Sequence, residues 1–148
     1  MFSHQLPNSN ELLGVKFSSY AQKHFLNIFK KKYKGKVRDY TEMSIKEDLS
    51  RLCMSNNTTQ LSNQIDELIH KDNCWIAKYD FKIAGTKLST KGSGNRCILY
   101  ININTNLIEI LLIYNKTDLP NNIKETKYIM DVLNDNYSDI MKQFCIEL

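Results

Sequence analysis

Two apolar runs, Arg96–Ile103 and Leu107–Tyr114, stand either side of Asn104-Thr105-Asn106. Both are rich in β-branched residues, and so short a polar break between them predicts an antiparallel hairpin. If those three residues form the loop, opposite residues have numbers summing to 210. Arg96 then faces Tyr114, and Lys116 follows Tyr114 along the same face. A two-residue turn would change this register. The hairpin is entered through a basic, glycine-bearing loop, Gly85–Asn95, that carries Lys87 and Lys91.

This grouping suits a phosphodiester. Arginine offers phosphate a planar fork and lysine adds a point charge. A tyrosine can stack on a base or, with a lowered pKa, accept a proton. Gly92 and Gly94 permit backbone conformations that bring amides near an anion. The plainer reading is solvated strand ends, a packing tyrosine and a connecting loop.

Before the loop, Trp75–Ala84 alternates, with Trp75, Ala77, Tyr79, Phe81 and Ile83 against Ile76, Lys78, Asp80, Lys82 and Ala84. This predicts a half-buried strand, with Trp75 in the core. Leu13–Ser18 predicts a short first strand, and Ser18 or Ser19 can cap the helix after it. Ala21, Phe25, Ile28 and Phe29 give that helix its apolar stripe, and Gly35 ends it. Ser44-Ile45-Lys46-Glu47 reads as a capping box opening a second helix, with Ile45, Leu49 and Leu52 inward. Leu61, Ile65, Leu68 and Ile69 have helical spacing, so residues 54–74 are expected to add a helical segment. Ile129, Val132, Leu133, Tyr137, Ile140, Met141 and Phe144 predict one closing helix after Pro120.

A chain of 148 residues with 42% hydrophobic content fits one domain with a real core, led by a polar arm over about residues 1–12. The net charge of +4 is mild, but Lys30–Arg38 concentrates basic residues. Such a run suits either a solvated helix end or a phosphate backbone. Cys53, Cys74, Cys97 and Cys145 are scattered without CxxC spacing, and His4, His24 and His70 are far apart, so no metal site is expected. The amino terminus lacks a signal-sequence pattern, and the apolar runs are too short for a helical membrane span, which points to a cytoplasmic protein with reduced thiols.

KGSGNRCILY followed by LLIYNKTDLPNN resembles the carboxy-terminal half of the RelE-type toxins of bacterial toxin–antitoxin pairs. The likeness is closest over Phe81–Asn136 and looser over Val15–Leu52. It implies an α+β fold: a twisted, mainly antiparallel sheet of about four strands, with helices packed on one face and the first strand paired to a later one. It also implies an endoribonuclease that cuts messenger RNA, in many relatives on the ribosome, with an antitoxin as protein partner and no cofactor. RNA supplies its own nucleophile, the 2′-hydroxyl, so orientation, proton transfer and charge stabilisation would suffice. By match to the family, Arg96 would hold the scissile phosphate and Lys116 would be a second cation or acid. Tyr114 would orient a base or move a proton, and Lys87 and Lys91 would bind substrate phosphates. The chain departs from several relatives in having no histidine beside the hairpin. The alternatives are a ParE-type toxin, which shares the fold and inhibits DNA gyrase by binding it, and an inert interaction module.

Overall fold

A computed structural model describes residues 14–24, 36–50, 65–81, 94–120 and 122–144. Its centre is one five-stranded mixed sheet of β1 (Gly14–Phe17), β2 (Ile65–Lys71), β3 (Cys74–Phe81), β4 (Asn95–Asn102) and β5 (Leu107–Asn115), in the order β1-β5-β4-β3-β2. β1 lies parallel to β5, and every other pairing is antiparallel. Residues 19–24 are helical. Among the described residues the other α-helices are α1 (Lys36–Ser50), α2 (Glu125–Asn136) and α3 (Ser138–Lys142).

The α+β class and the pairing of the first strand with a later one agree with the sequence reading; several details do not. The sheet has five strands because Ile65–Lys71 is a strand rather than part of a helix. Ile65 and Ile69 are spaced for one helix face, but pairing with β3 makes this a strand, and a register shift between Glu67 and Ile69 sends the two to opposite cores. Residues 54–64 of the expected helical segment lie outside the described residues, as do the amino-terminal arm, Gly35 and most of the Lys30–Arg38 run. α1 begins at Lys36, so Ser44 sits inside it and caps nothing. Ser18 does cap as expected, its Oγ accepting a hydrogen bond from the Ala21 amide at 3.0 Å.

Helices cover both faces of the sheet, not one. Ile45 and Leu49 of α1 pack with Trp75, Ala77, Tyr79, Cys97, Leu99, Ile101, Ile108 and Ile110 on the first face. Ile129, Leu133, Tyr137 and Met141 pack with Ile76, Ile98, Tyr100, Leu112 and Tyr114 on the second. β3 is therefore buried on both sides rather than half-buried. Trp75 is in the core, as expected, and donates its indole N–H to Glu67 at 2.9 Å. The closing apolar stripe is split into two helices at Tyr137, whose φ of −133° and ψ of 41° leave the helical region.

The hairpin carries the most informative departure. Its loop has four residues, 103–106, closed by the Asn106 amide on the Ile103 carbonyl at 3.2 Å. Asn106 takes a left-handed φ of 52°, which asparagine tolerates. Near the loop the register runs Asn102↔Leu107 to Leu99↔Ile110. Beyond it the register becomes Ile98↔Leu112, Cys97↔Ile113 and Arg96↔Tyr114. Leu111 is the extra residue of a β-bulge, and it changes which face the rest of β5 presents. Ile108 and Ile110 face α1, whereas Leu112 and Tyr114 face α2 and α3. The pairing of Arg96 with Tyr114 thus holds because a longer loop and a bulge offset each other. The bulged Leu111 carbonyl accepts a hydrogen bond from the Tyr137 hydroxyl, which in turn lies 2.6 Å from Ser18 Oγ. One phenol therefore joins the bulge, the first turn of the 19–24 helix and the α2–α3 break.

Candidate functional site

At the end of the hairpin away from its loop, the second face of the sheet turns polar. Register places Asp80, Arg96 and Tyr114 side by side on β3, β4 and β5, with Lys78 two residues from Asp80 on the same face. Glu125, the first residue of α2, lies over this group. Arg96 Nε is 3.0 Å from Asp80 Oδ1 and 3.9 Å from Glu125 Oε1, and Lys78 Nζ is 3.2 Å from the same Glu125 oxygen. Arg96 Nη1 also donates to the Asn95 carbonyl at 3.3 Å. Two cations and two carboxylates are thus interleaved.

Their burial is graded. Asp80 and Arg96 are 4% and 8% exposed, so their charges rest largely on each other. The side chains of Lys78 and Glu125 are 23% and 18% exposed and form the solvent side of the cluster. A buried charge is tolerated only with such partners.

Tyr114 is 3% exposed, and its ring meets that of Tyr128 edge-on at 5.7 Å between centroids. Its hydroxyl lies beside the Glu125 carboxylate without hydrogen-bond geometry to any described residue. Burial and that carboxylate hold its pKa well above the usual phenol value, and the nearby Arg96 only partly offsets them. This phenol stays protonated at neutral pH.

Lys116 is exposed, at the start of a short 3₁₀ turn, Lys116–Asp118. Its backbone amide donates to the Gly94 carbonyl at 2.8 Å, closing the end of the sheet. Asn115 fixes the turn: its Oδ1 accepts from the Thr117 amide and hydroxyl at 2.9 and 2.7 Å, and its Nδ2 donates to Asn95 Oδ1 at 2.8 Å. Gly94 has a φ of +76°, and a Cβ there would come within 3.3 Å of the Asn115 amide oxygen. A side chain at 94 would therefore strain the approach of the two strands.

Of the sequence-predicted residues, Arg96 and Tyr114 are brought together as cross-strand partners, and Lys116 follows at the rim. Lys87 and Lys91 lie outside the described residues. The partners of Arg96 were missed. Alternation alone puts Asp80 opposite the Trp75 face of a half-buried strand, and Glu125 lies far along the chain. Covering both faces of the sheet makes Asp80 a buried charge and Lys78 a half-buried one, and both then need partners.

A histidine also comes nearer than the sequence suggested. His24 stacks on Tyr20, with ring centroids 5.7 Å apart, and lies within electrostatic reach of Asp118. Burial lowers its pKa and Asp118 raises it, with burial dominant. The parallel pairing of β1 with β5 brings the 19–24 helix to this end, and no local pattern in the chain announces that pairing. Among the described residues no helix is long and apolar enough to cross a membrane.

No protein-family model matches the chain, and no curated protein matches it. Among solved structures it is similar to the archaeal RelE–RelB complex from Pyrococcus horikoshii OT3, with 11% sequence identity and a TM-score of 0.48 over 73% of this chain and 99% of that one. A likeness at this level identifies neither a family nor an activity.

Proposed function

We propose that the chain is a RelE-type toxin that cuts messenger RNA in the cytoplasm and is restrained by an antitoxin protein. The observation carrying this reading is the placement of exposed Lys116 at the same sheet end as the cross-strand pair Arg96–Tyr114, tied to the entrance of the hairpin through Gly94. The sequence resemblance adds the basic loop with Lys87 and Lys91. Lys116 and those two lysines would meet the RNA backbone, and cleavage would use the RNA 2′-hydroxyl, without a metal. Arg96 would stabilise charge on the phosphorane, with the Asp80 carboxylate holding it in place as its ion-pair partner. Tyr114 would organise the site as a protonated phenol. Its raised pKa makes it a poor proton acceptor, which leaves that task to a lysine or to the substrate's surroundings on the ribosome.

Induction in bacterial cells tests the reading. The wild type should arrest growth and protein synthesis, and Lys116→Ala, an exposed change that leaves the fold intact, should relieve the arrest. An equally toxic Lys116→Ala would contradict the assignment.

The Arg96–Asp80 ion pair favours a second reading, inhibition by binding without RNA cleavage, because a neutralised arginine is a weaker phosphate ligand. That reading predicts arrest with intact messenger RNA and, for a ParE-type toxin, loss of supercoiling by purified gyrase on adding the protein.

A further inference from the structure

We propose that Lys78, Arg96 and the first turn of α2 form a phosphodiester-binding site whose place is held by the Glu125 carboxylate, and that RNA binds there by displacing Glu125. The proposal rests on the RNA-directed reading above and adds Lys78 and Glu125, which that reading does not use.

Three observations bear on the Glu125 carboxylate. Glu125 Oε1 lies 3.2 Å from Lys78 Nζ and 3.9 Å from Arg96 Nε. The Tyr114 hydroxyl, buried and without hydrogen-bond geometry to any described residue, lies beside the same carboxylate. α2 has 12 residues and no side-chain cap, with Lys124 at its N-cap, and Glu125 is the acidic residue of its first turn, where the helix dipole favours an anion. A lysine and an arginine facing one carboxylate oxygen, with a phenol beside the carboxylate, also make a donor set that suits a phosphodiester.

Charge accounts for the need for an occupant. Among the described residues of the cluster, Lys78 and Arg96 face Asp80 and Glu125. Asp80 is buried and bound to the inner cation, so it stays with Arg96. Glu125 is on the solvent side and begins a helix that follows an extended Lys124. A phosphodiester carries one negative charge, so exchanging it for the Glu125 carboxylate keeps the cluster balanced. Adding it while Glu125 remains would place two anions together, which their mutual repulsion disfavours. In this account Glu125 holds Lys78 and Arg96 in place without substrate and limits affinity until RNA takes its position.

The test is fluorescence anisotropy of a short labelled oligoribonucleotide binding to the full chain, over a range of salt concentrations. Four proteins are compared: wild type, Glu125→Gln, Lys78→Ala/Glu125→Gln and Lys116→Ala. Glu125→Gln keeps the side-chain shape and removes the charge. It should bind about tenfold more tightly than wild type, because an anion no longer competes. Its log–log salt slope should stay near that of the wild type, since the same phosphate contacts are made. Adding Lys78→Ala should abolish the gain and make the slope shallower by about 0.7, one phosphate contact fewer on a single strand. Unchanged affinity in Glu125→Gln, or a gain that survives Lys78→Ala, overturns the proposal. If Lys116→Ala weakens binding while Glu125→Gln does nothing, the RNA reading stands and this site fails. If Glu125→Gln gains affinity through Lys78 but the wild type cuts no RNA, the site stands and the nuclease reading fails. If none of the four proteins binds RNA, both fail.

Discussion

The two ends of the β4–β5 hairpin are built from the same pair of strands and solve opposite problems. At the loop end, neutral amides do the joining. Asn102 Oδ1 accepts from the Asn104 and Thr105 amides at 3.0 and 3.4 Å, and Asn73 Nδ2 donates to Asn104 Oδ1 at 2.9 Å. Asn102 Nδ2 also reaches the Tyr100 hydroxyl at 3.2 Å. Little charge is buried there, and each bond contributes modestly. At the other end Lys78, Asp80 and Arg96 of the sheet are clustered with Glu125 of α2. A loop needs only local hydrogen bonds to hold its register. A charged cluster between a sheet and a helix gives a marginal net gain while it is complete and a large loss when one member is removed. The second arrangement is a costly way to close a sheet, which is why chemistry is sought at that end.

The sharpest way to break this contrast is to delete one charge. Asp80→Ala or Arg96→Ala should each lower unfolding free energy by about 3–5 kcal/mol, read by urea denaturation, because the partner stays buried and loses its nearest counter-charge. A joint Asp80→Leu/Arg96→Met change should recover most of that loss. Loss of activity in Arg96→Ala alone therefore says little about catalysis.

Two tyrosines on the same face sharpen the comparison. Tyr137→Phe should cost about 1–3 kcal/mol, since the bulged Leu111 carbonyl and Ser18 Oγ lose their shared partner. Tyr114→Phe should change stability by less than about 0.5 kcal/mol, since its hydroxyl has hydrogen-bond geometry to no described residue. Equal losses for the two would contradict the geometry. At the loop end, Asn102→Ala should cost roughly 1 kcal/mol, the net worth of a few partly solvated bonds.

The smallest effect concerns pH. Burial lowers the folded-state pKa of His24 below the ordinary 6.5, so the folded chain binds its proton less readily than the unfolded chain. The contribution is complete above the unfolded value and is lost as pH falls through the folded one. The melting temperature should drop slightly between about pH 7.5 and pH 5.5, and His24→Asn should flatten part of that drop. A rise in stability over the same range would reverse the sign assigned to His24.

Much of the sheet was legible because strand alternation and a short polar break are local signals. The hairpin, the β3 strand and the apolar stripe of the closing helices all follow from spacing within a dozen residues. The Leu111 bulge was not legible, since every residue from Ile110 to Ile113 is apolar and either face would accept them. β2 was misread because Ile65, Leu68 and Ile69 suit a helix until β3 is placed beside them. The candidate site was half legible. Arg96, Tyr114 and Lys116 could be grouped by register, but the Asp80 and Glu125 carboxylates that determine what Arg96 can do are fixed by the pairing of β3 and the docking of α2. Those are long-range events that residue spacing does not encode.

The most direct test of the central claim is primer extension on cellular messenger RNA after brief induction, with wild type beside Lys116→Ala. The account predicts new cuts within translated regions in the wild type, strongly reduced in the variant while the soluble protein level is unchanged. Growth arrest by soluble wild-type protein with messenger RNA left whole would contradict it and move the molecule to the class that inhibits by binding.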